Sequence, residues 1–382
     1  MDNRAFNVLF ISVFSTMIGL GVVVPLLPFY AESLGATGIW IGAIFSGFSL
    51  SRAIFMPIIG KLSDKKGRKI FIVVGLVTYT ILSLAYILAN SVYTLTVVRI
   101  IHGAASAMVI PVAMAYIADI SPEGEDGRYM GTFMISLLLG MGLGPLLGGI
   151  LKDLFGMNFV FLTMALFSAT SLTICLLFLP ESRYRKSEAS TLKQILKSGI
   201  MKAIIFFRIM NAYSQGTFIV FLPLVASAYG LSSGQTGLLI SASLLTSAFS
   251  QRFFGRVADV YNKTLLILTG SLLIAVTLII IPNTNGFSYL ILASLLFGIG
   301  NAIALPSAAA LVTIAGRELG QGSAMGAFNT AMSIGMITAP VISGAIMDFI
   351  GLHFVFIFSG IVCLISLLLF WILISKVEIT SH

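Results

Sequence analysis

The chain has 382 residues, of which 58% are hydrophobic and only 9% charged. A soluble domain carries roughly a quarter charged residues, so a chain this apolar needs lipid as the solvent for most of its surface. The net charge of +8 lies in short segments between apolar runs, with no aromatic-interleaved basic domain, which argues against nucleic acid as a partner.

In chain order, the apolar runs predict spans at 6–30, 37–60, 70–89, 93–118, 128–151 and 157–179, then at 203–228, 234–256, 264–283, 287–314, 321–346 and 353–375. Each is long enough to cross a hydrocarbon core of about 30 Å. The first run follows Asp2-Asn3-Arg4, and more spans follow at once. It is therefore expected to be retained, not cleaved as a signal peptide. Cys175 and Cys363 fall inside apolar runs of different halves and read as small hydrophobes, not as a disulfide.

Charge sets the expected orientation. Lys61, Lys65, Lys66, Arg68 and Lys69 lie between spans two and three. Arg183, Arg185, Lys186, Lys193, Lys197 and Lys202 lie between six and seven, and Arg256 and Lys263 between eight and nine. The opposite connections hold only Lys152. By the positive-inside rule the basic side, with both termini, is cytoplasmic, as expected of a prokaryotic plasma-membrane protein. The one long polar stretch, 183–201, reads as a cytoplasmic linker, with a possible amphipathic turn at Leu192, Ile195 and Leu196.

Shifting the chain by 195 positions superposes its halves without a gap. Pro28 meets Pro223, Gly103 meets Gly298, Pro111 meets Pro306, Gly140 meets Gly335, Pro145 meets Pro340 and Asp153 meets Asp348. Gly, Pro and Asp set backbone shape or cost most in lipid, so these matches outweigh any number of Leu-on-Leu matches. The expected fold is an all-α membrane protein, with twelve helices in two pseudo-symmetric six-helix bundles, 1–182 and 202–382. An even number of spans per repeat keeps both halves in one orientation and predicts a site between them near the midplane.

Four motifs follow in order. The loop after span two reads Gly60-Lys-Leu-Ser-Asp64-Lys-Lys-Gly67-Arg68-Lys69. Span four holds Arg99-Ile-Ile-His102-Gly103, span five Gly140-x3-Gly144-Pro145-x2-Gly148-Gly149, and span one Gly19-x5-Pro25-x2-Pro28. Together they resemble the major facilitator superfamily, and within it the twelve-span drug:proton antiporter group. Gly60 and Gly67 would permit tight backbone at the membrane surface, and Asp64 could face the positive N-terminus of a neighbouring helix. The resemblance implies that this helix is span eleven, that Arg68 approaches Asp119, and that the loop latches one conformational state. It also implies a pliable hinge at Gly140, Gly144, Pro145, Gly148 and Gly149, where small residues and a proline favour close approach and bending. The second copy has Ala339 and Ser343 in place of Gly144 and Gly148.

Charges inside the spans are the candidate site. Arg99 is costly in an apolar helix, and His102 follows at i+3 on the same face. His102 can titrate near neutrality; its alternative is a hydrogen-bonded core imidazole. Arg208 either snorkels to the headgroups or attracts anions, with Asn211 one turn on. Glu32 lies at the outer end of span one. These five are the candidates for substrate binding or proton coupling, and the interior charges among them are basic.

The expected function is secondary active transport by alternating access: proton-coupled efflux of a lipophilic small molecule or drug, through a complete protomer. An exporter or exchanger of an organic anion or lipid-like amphiphile is the alternative, and a transporter-fold sensor lies outside that class. Catalysis is not expected: His102, His353 and His382 are the only histidines, with no HExxH, catalytic cysteine arrangement or metal-ligand set. No GxxxxGK[ST] motif is present, so the proton gradient, with no bound cofactor, is the expected energy source.

Overall fold

The computed structural model describes residues 3–122, 125–181, 198–284 and 286–380. All regular structure among these residues is helical. Helix α1 (Asn3–Val23) passes through a 3-10 turn at Val24–Leu26 into α2 (Leu27–Ser33), the break falling where Pro25 and Pro28 remove backbone donors. Then come α3 (Gly38–Lys66), α4 (Arg68–Leu88), α5 (Val92–Ile120), α6 (Asp126–Phe155) and α7 (Met157–Phe178). The second series is α8 (Gly199–Ala228), α9 (Ser233–Val260), α10 (Lys263–Ile280), α11 (Phe287–Leu319), α12 (Gln321–Phe349) and α13 (Leu352–Thr380).

Among the described residues, eleven spans are long and apolar enough to cross a membrane, α1 and α2 counting as one. The twelfth long helix, α9, has 28 residues but carries Gln235, Gln251, Arg252, Arg256 and Asp259 among its serines. Most of the linker expected at 183–201 lies outside the described residues.

The chain forms two compact units. Unit 1 is Met1–Lys186 with Leu231–Ser241, the opening of α9; unit 2 is Ser187–Gly230 with Ala242–His382. In unit 1, α1 packs on α6 and α7, α5 on α3 and α4, and α4 on α7. In unit 2, α8 packs on α12 and α13, α10 on α11, and α10 on α13. Shifted by 195, four of the five pairings of unit 1 recur in unit 2, so the sequence repeat is also a packing repeat. Gly156 and Gly351, 195 apart, both turn the chain between helices with positive φ.

Large apolar side chains coat the outside of both units, among them Ile81, Leu88, Leu166, Phe253 and Leu368. Such a continuous apolar surface requires a lipid neighbour. Cys175 and Cys363 are buried and free, and the Cys363 thiol reaches the Ser271 carbonyl at 3.4 Å.

Candidate functional site

The loop after α3 is organised around one buried guanidinium. Gly67, at φ 95°, reverses the chain from α3 into α4. Arg68, the first residue of α4, then turns inward, its side chain 7% exposed. Its Nε donates to Asp119 Oδ2 at 2.9 Å and its Nη1 to Ser63 Oγ at 2.8 Å, and Asp64 forms an i,i+4 ion pair with it. The approach of Arg68 to Asp119 is therefore present.

Two features of this loop were not legible in sequence. The Lys69 backbone N–H donates to Glu181 Oε1 at 3.1 Å, and a side chain on Gly67 would collide with that same carboxylate. Gly60 sits inside α3 with open space around it. The tight backbone expected at both glycines thus occurs only at Gly67, because the helix continues through Gly60 to Lys66.

Arg99 and His102 come together inside unit 1, 3% and 0% exposed. The capping box of Ser91 and Thr94 fixes the start of α5 two turns earlier. Gly103 then lets α5 approach the Phe48 carbonyl of α3 so closely that no Cβ would fit. The Arg99 guanidinium lies over the rings of Phe48 (4.3 Å) and Phe45 (5.2 Å), and its Nε has no hydrogen-bond partner. His102 Nδ1 is 2.9 Å from the Tyr86 hydroxyl, while Nε2 is buried without a partner. The Tyr79 ring meets the imidazole edge to face at 4.4 Å. Among the described residues, no carboxylate belongs to this cluster. Glu32 is exposed at the end of α2 and is not among its neighbours. Tyr79, Tyr86 and Phe48 were missed because nothing in their local sequence separates a site aromatic from a packing one.

The small residues of α6 serve two partners. A side chain at Gly140 would strike Met17 and the Phe14 carbonyl; at Gly144, the backbone of Gly21; at Gly148, the Val22 carbonyl. All three therefore accommodate α1. Gly149 instead faces the Ser233 carbonyl, and the Pro145 carbonyl touches Gly237, both in the opening of α9. The Leu146 N–H, beside Pro145, donates to Ser241 Oγ at 3.0 Å. Asp153 closes this contact, accepting from the N–H groups of Ser233 (3.0 Å) and Gly234 (2.7 Å) at the start of α9.

In unit 2, Arg208 and Asn211 join a chain of amides. Arg208 Nη1 donates to Asn211 Oδ1 at 2.9 Å. Asn211 Nδ2 donates to Asn301 Oδ1 at 3.1 Å, and Asn301 Nδ2 to the Phe297 carbonyl at 2.9 Å. The guanidinium lies 4.9 Å from the Phe328 ring centre, and Arg208 Nε has no partner. Asn301 was missed, although an amide in mid-span is itself a signal, since polar groups are costly in lipid. Nearby, Thr217 Oγ1 and Ser343 Oγ lie 3.0 Å apart, joining α8 to α12.

A family model described as Major Facilitator Superfamily matches residues 9–208 and 204–381. An uncharacterised MFS-type transporter of Methanocaldococcus jannaschii is 31% identical over 366 residues, covering 93% of this chain and 94% of that protein. The quinolone resistance protein NorA of Staphylococcus aureus is 28% identical, covering 91% and 90%. A homologue of the multidrug resistance efflux pump PmrA from Lactococcus lactis is 29% identical, covering 86% and 84%. Among solved structures, the nucleoside transporter NupG superposes with a TM-score of 0.84 at 14% identity, covering 97% of this chain and 99% of that one.

Proposed function

The chain belongs to the Major Facilitator Superfamily and is an integral membrane transporter, not an enzyme; from that premise we propose that it exports a lipophilic small molecule or drug in exchange for protons, by alternating access. Similarity to a quinolone resistance protein and to an efflux pump homologue along most of the chain supports the export direction. In this reading the basic loops and both termini face the cytoplasm, the membrane is a prokaryotic plasma membrane, and one protomer is complete. The Asp64–Arg68–Asp119 cluster is the conformational latch.

The observation that carries proton coupling is the imidazole inside α5. His102 is fully buried, with one ring nitrogen on the Tyr86 hydroxyl and the other unpartnered, and Arg99 lies one turn before it. A proton gained here meets the like charge of Arg99, and among the described residues only a tyrosine hydroxyl and aromatic rings face it. Each protonation state therefore favours a different local arrangement.

The test is proton movement in everted membrane vesicles holding a preset pH gradient. Lipophilic cations, organic anions and lysolipid-like amphiphiles are added in turn to wild type, Arg99→Ala and His102→Ala. Substrate-dependent collapse of the gradient in wild type, lost in His102→Ala, is the expected result. Labelled-substrate flux that continues with no proton movement would remove proton coupling, and absence of any flux would remove transport.

A further inference from the structure

The Arg208 chain has a direction, and the direction specifies a ligand. Arg208 donates to Asn211, Asn211 to Asn301, and Asn301 to the Phe297 carbonyl. Every link points away from the guanidinium, so the tail is satisfied by a backbone oxygen. The head retains an unspent donor, Arg208 Nε, on a residue only 7% exposed. An arginine has five N–H donors and accepts nothing. Whatever completes this site must therefore be an acceptor, and a negatively charged one pairs best with a planar guanidinium fork.

Among the described side chains, none supplies that acceptor to Arg208 Nε. Helix α8 contains no Asp or Glu. The acids of α11 and α12 are Glu318 and Asp348, each at the end of its helix, whereas Asn301 and Phe328 lie further inside. Nor does the side chain escape to the headgroups. Arg208 is nine residues from the start of α8, roughly 14 Å along the axis, and its guanidinium reaches Asn211, one turn deeper. A snorkelling arginine would point the other way.

The fold does not require the group either. The positions 195 residues earlier are Val13, Thr16 and Ser106, and unit 1 packs the equivalent helices without an arginine there. A buried, uncompensated charge that the repeat does without calls for a partner from outside the chain.

We propose that Arg208, oriented by Asn211 and Asn301 and faced by Phe328, is a carboxylate-binding subsite, and that the transported substrate is a lipophilic organic acid. This rests on the transporter reading above and narrows its substrate class. The carboxylate would take the free edge of the guanidinium, with the apolar body of the substrate on the aromatic and aliphatic walls of unit 2.

The test is equilibrium binding of 1-pyrenebutyrate and of its uncharged methyl ester to the full-length chain in zwitterionic lipid nanodiscs, with signal from empty discs subtracted. Wild type is expected to bind the acid about tenfold or more tightly than the ester, as a charge-assisted contact in a dry site requires. Arg208→Gln removes the fork. Asn211→Asp, at the side chain whose Oδ1 already accepts from Arg208, supplies a carboxylate from within. Both should bring the acid-to-ester ratio to about one. A wild type with no preference for the acid overturns the subsite, as does a preference that survives both substitutions. Binding needs neither movement nor a gradient, so the two readings fail separately. Acid preference without flux would sink transport alone, whereas equal pumping of acid and ester would sink the subsite alone.

Discussion

In unit 1, Gly103 brings α5 against the carbonyl of Phe48; in unit 2, Gly298 brings α11 against the carbonyl of Ser243, 195 residues on. Gly140 against Phe14 and Met17 likewise becomes Gly335 against Ile209 and Ala212. The arginines and the histidine inside the spans do not repeat. Unit 1 places Arg99 and His102 where unit 2 has Ser294 and Phe297, and unit 2 places Arg208 where unit 1 has Val13. Where the α6 motif lapses in its second copy, the contact changes chemistry. Gly148 against the Val22 carbonyl becomes Ser343 hydrogen-bonded to Thr217. Repeated positions thus carry helix packing, which both bundles need alike. Unrepeated polar positions carry charges that packing does not need and lipid penalises, and those are the candidates for function.

Substitutions can break this division, beginning with the largest effect. Gly103→Leu and Gly298→Leu should both abolish folding, because the obstruction is backbone and overpacking already costs about 1–3 kcal/mol where neighbours can give way. Monodispersity in detergent reads this out; a folded Gly298→Leu protein would show that the repeated contact is dispensable. Asp119→Asn should destabilise by about 1.5–3 kcal/mol, since it weakens a charge-assisted hydrogen bond of buried Arg68 while Asp64 still pairs with it. Thermal unfolding measures it, and Arg68→Met with Asp119→Leu should recover much of the loss. Tyr86→Phe should cost only about 1 kcal/mol of stability yet alter proton exchange in vesicles, because it removes the one hydrogen bond to His102. Unchanged coupling would reduce Tyr86 to packing. Asp153→Asn should have the smallest effect on thermal unfolding, about 0.5 kcal/mol, from loss of charge at the exposed start of α9. Gly60→Ala is the control: with open space around it, the melting temperature should hold.

The sequence by itself determined the helical class, the spans and the repeat, while the approach of Arg68 to Asp119 was only what the family resemblance of the loop motif implied. The first three follow from local quantities: runs of apolar residues, and Gly and Pro in fixed register. The sequence also marked Arg99, His102, Arg208 and Asn211, because a charge or an amide in an apolar run is conspicuous wherever it points.

Only the tertiary structure decided what surrounds them. Tyr86 and Phe48 reach His102 from α4 and α3, and Asn301 reaches Asn211 from α11, across 90 residues of chain. Glu181 returns from beyond α7 to cap α4. The Gly60 and Gly67 pair divided for the same reason: one glycine sits in a continuing helix, the other at its reversal. A hydrogen bond between helices is fixed by their rotation and depth, and those emerge only when whole apolar faces pack together.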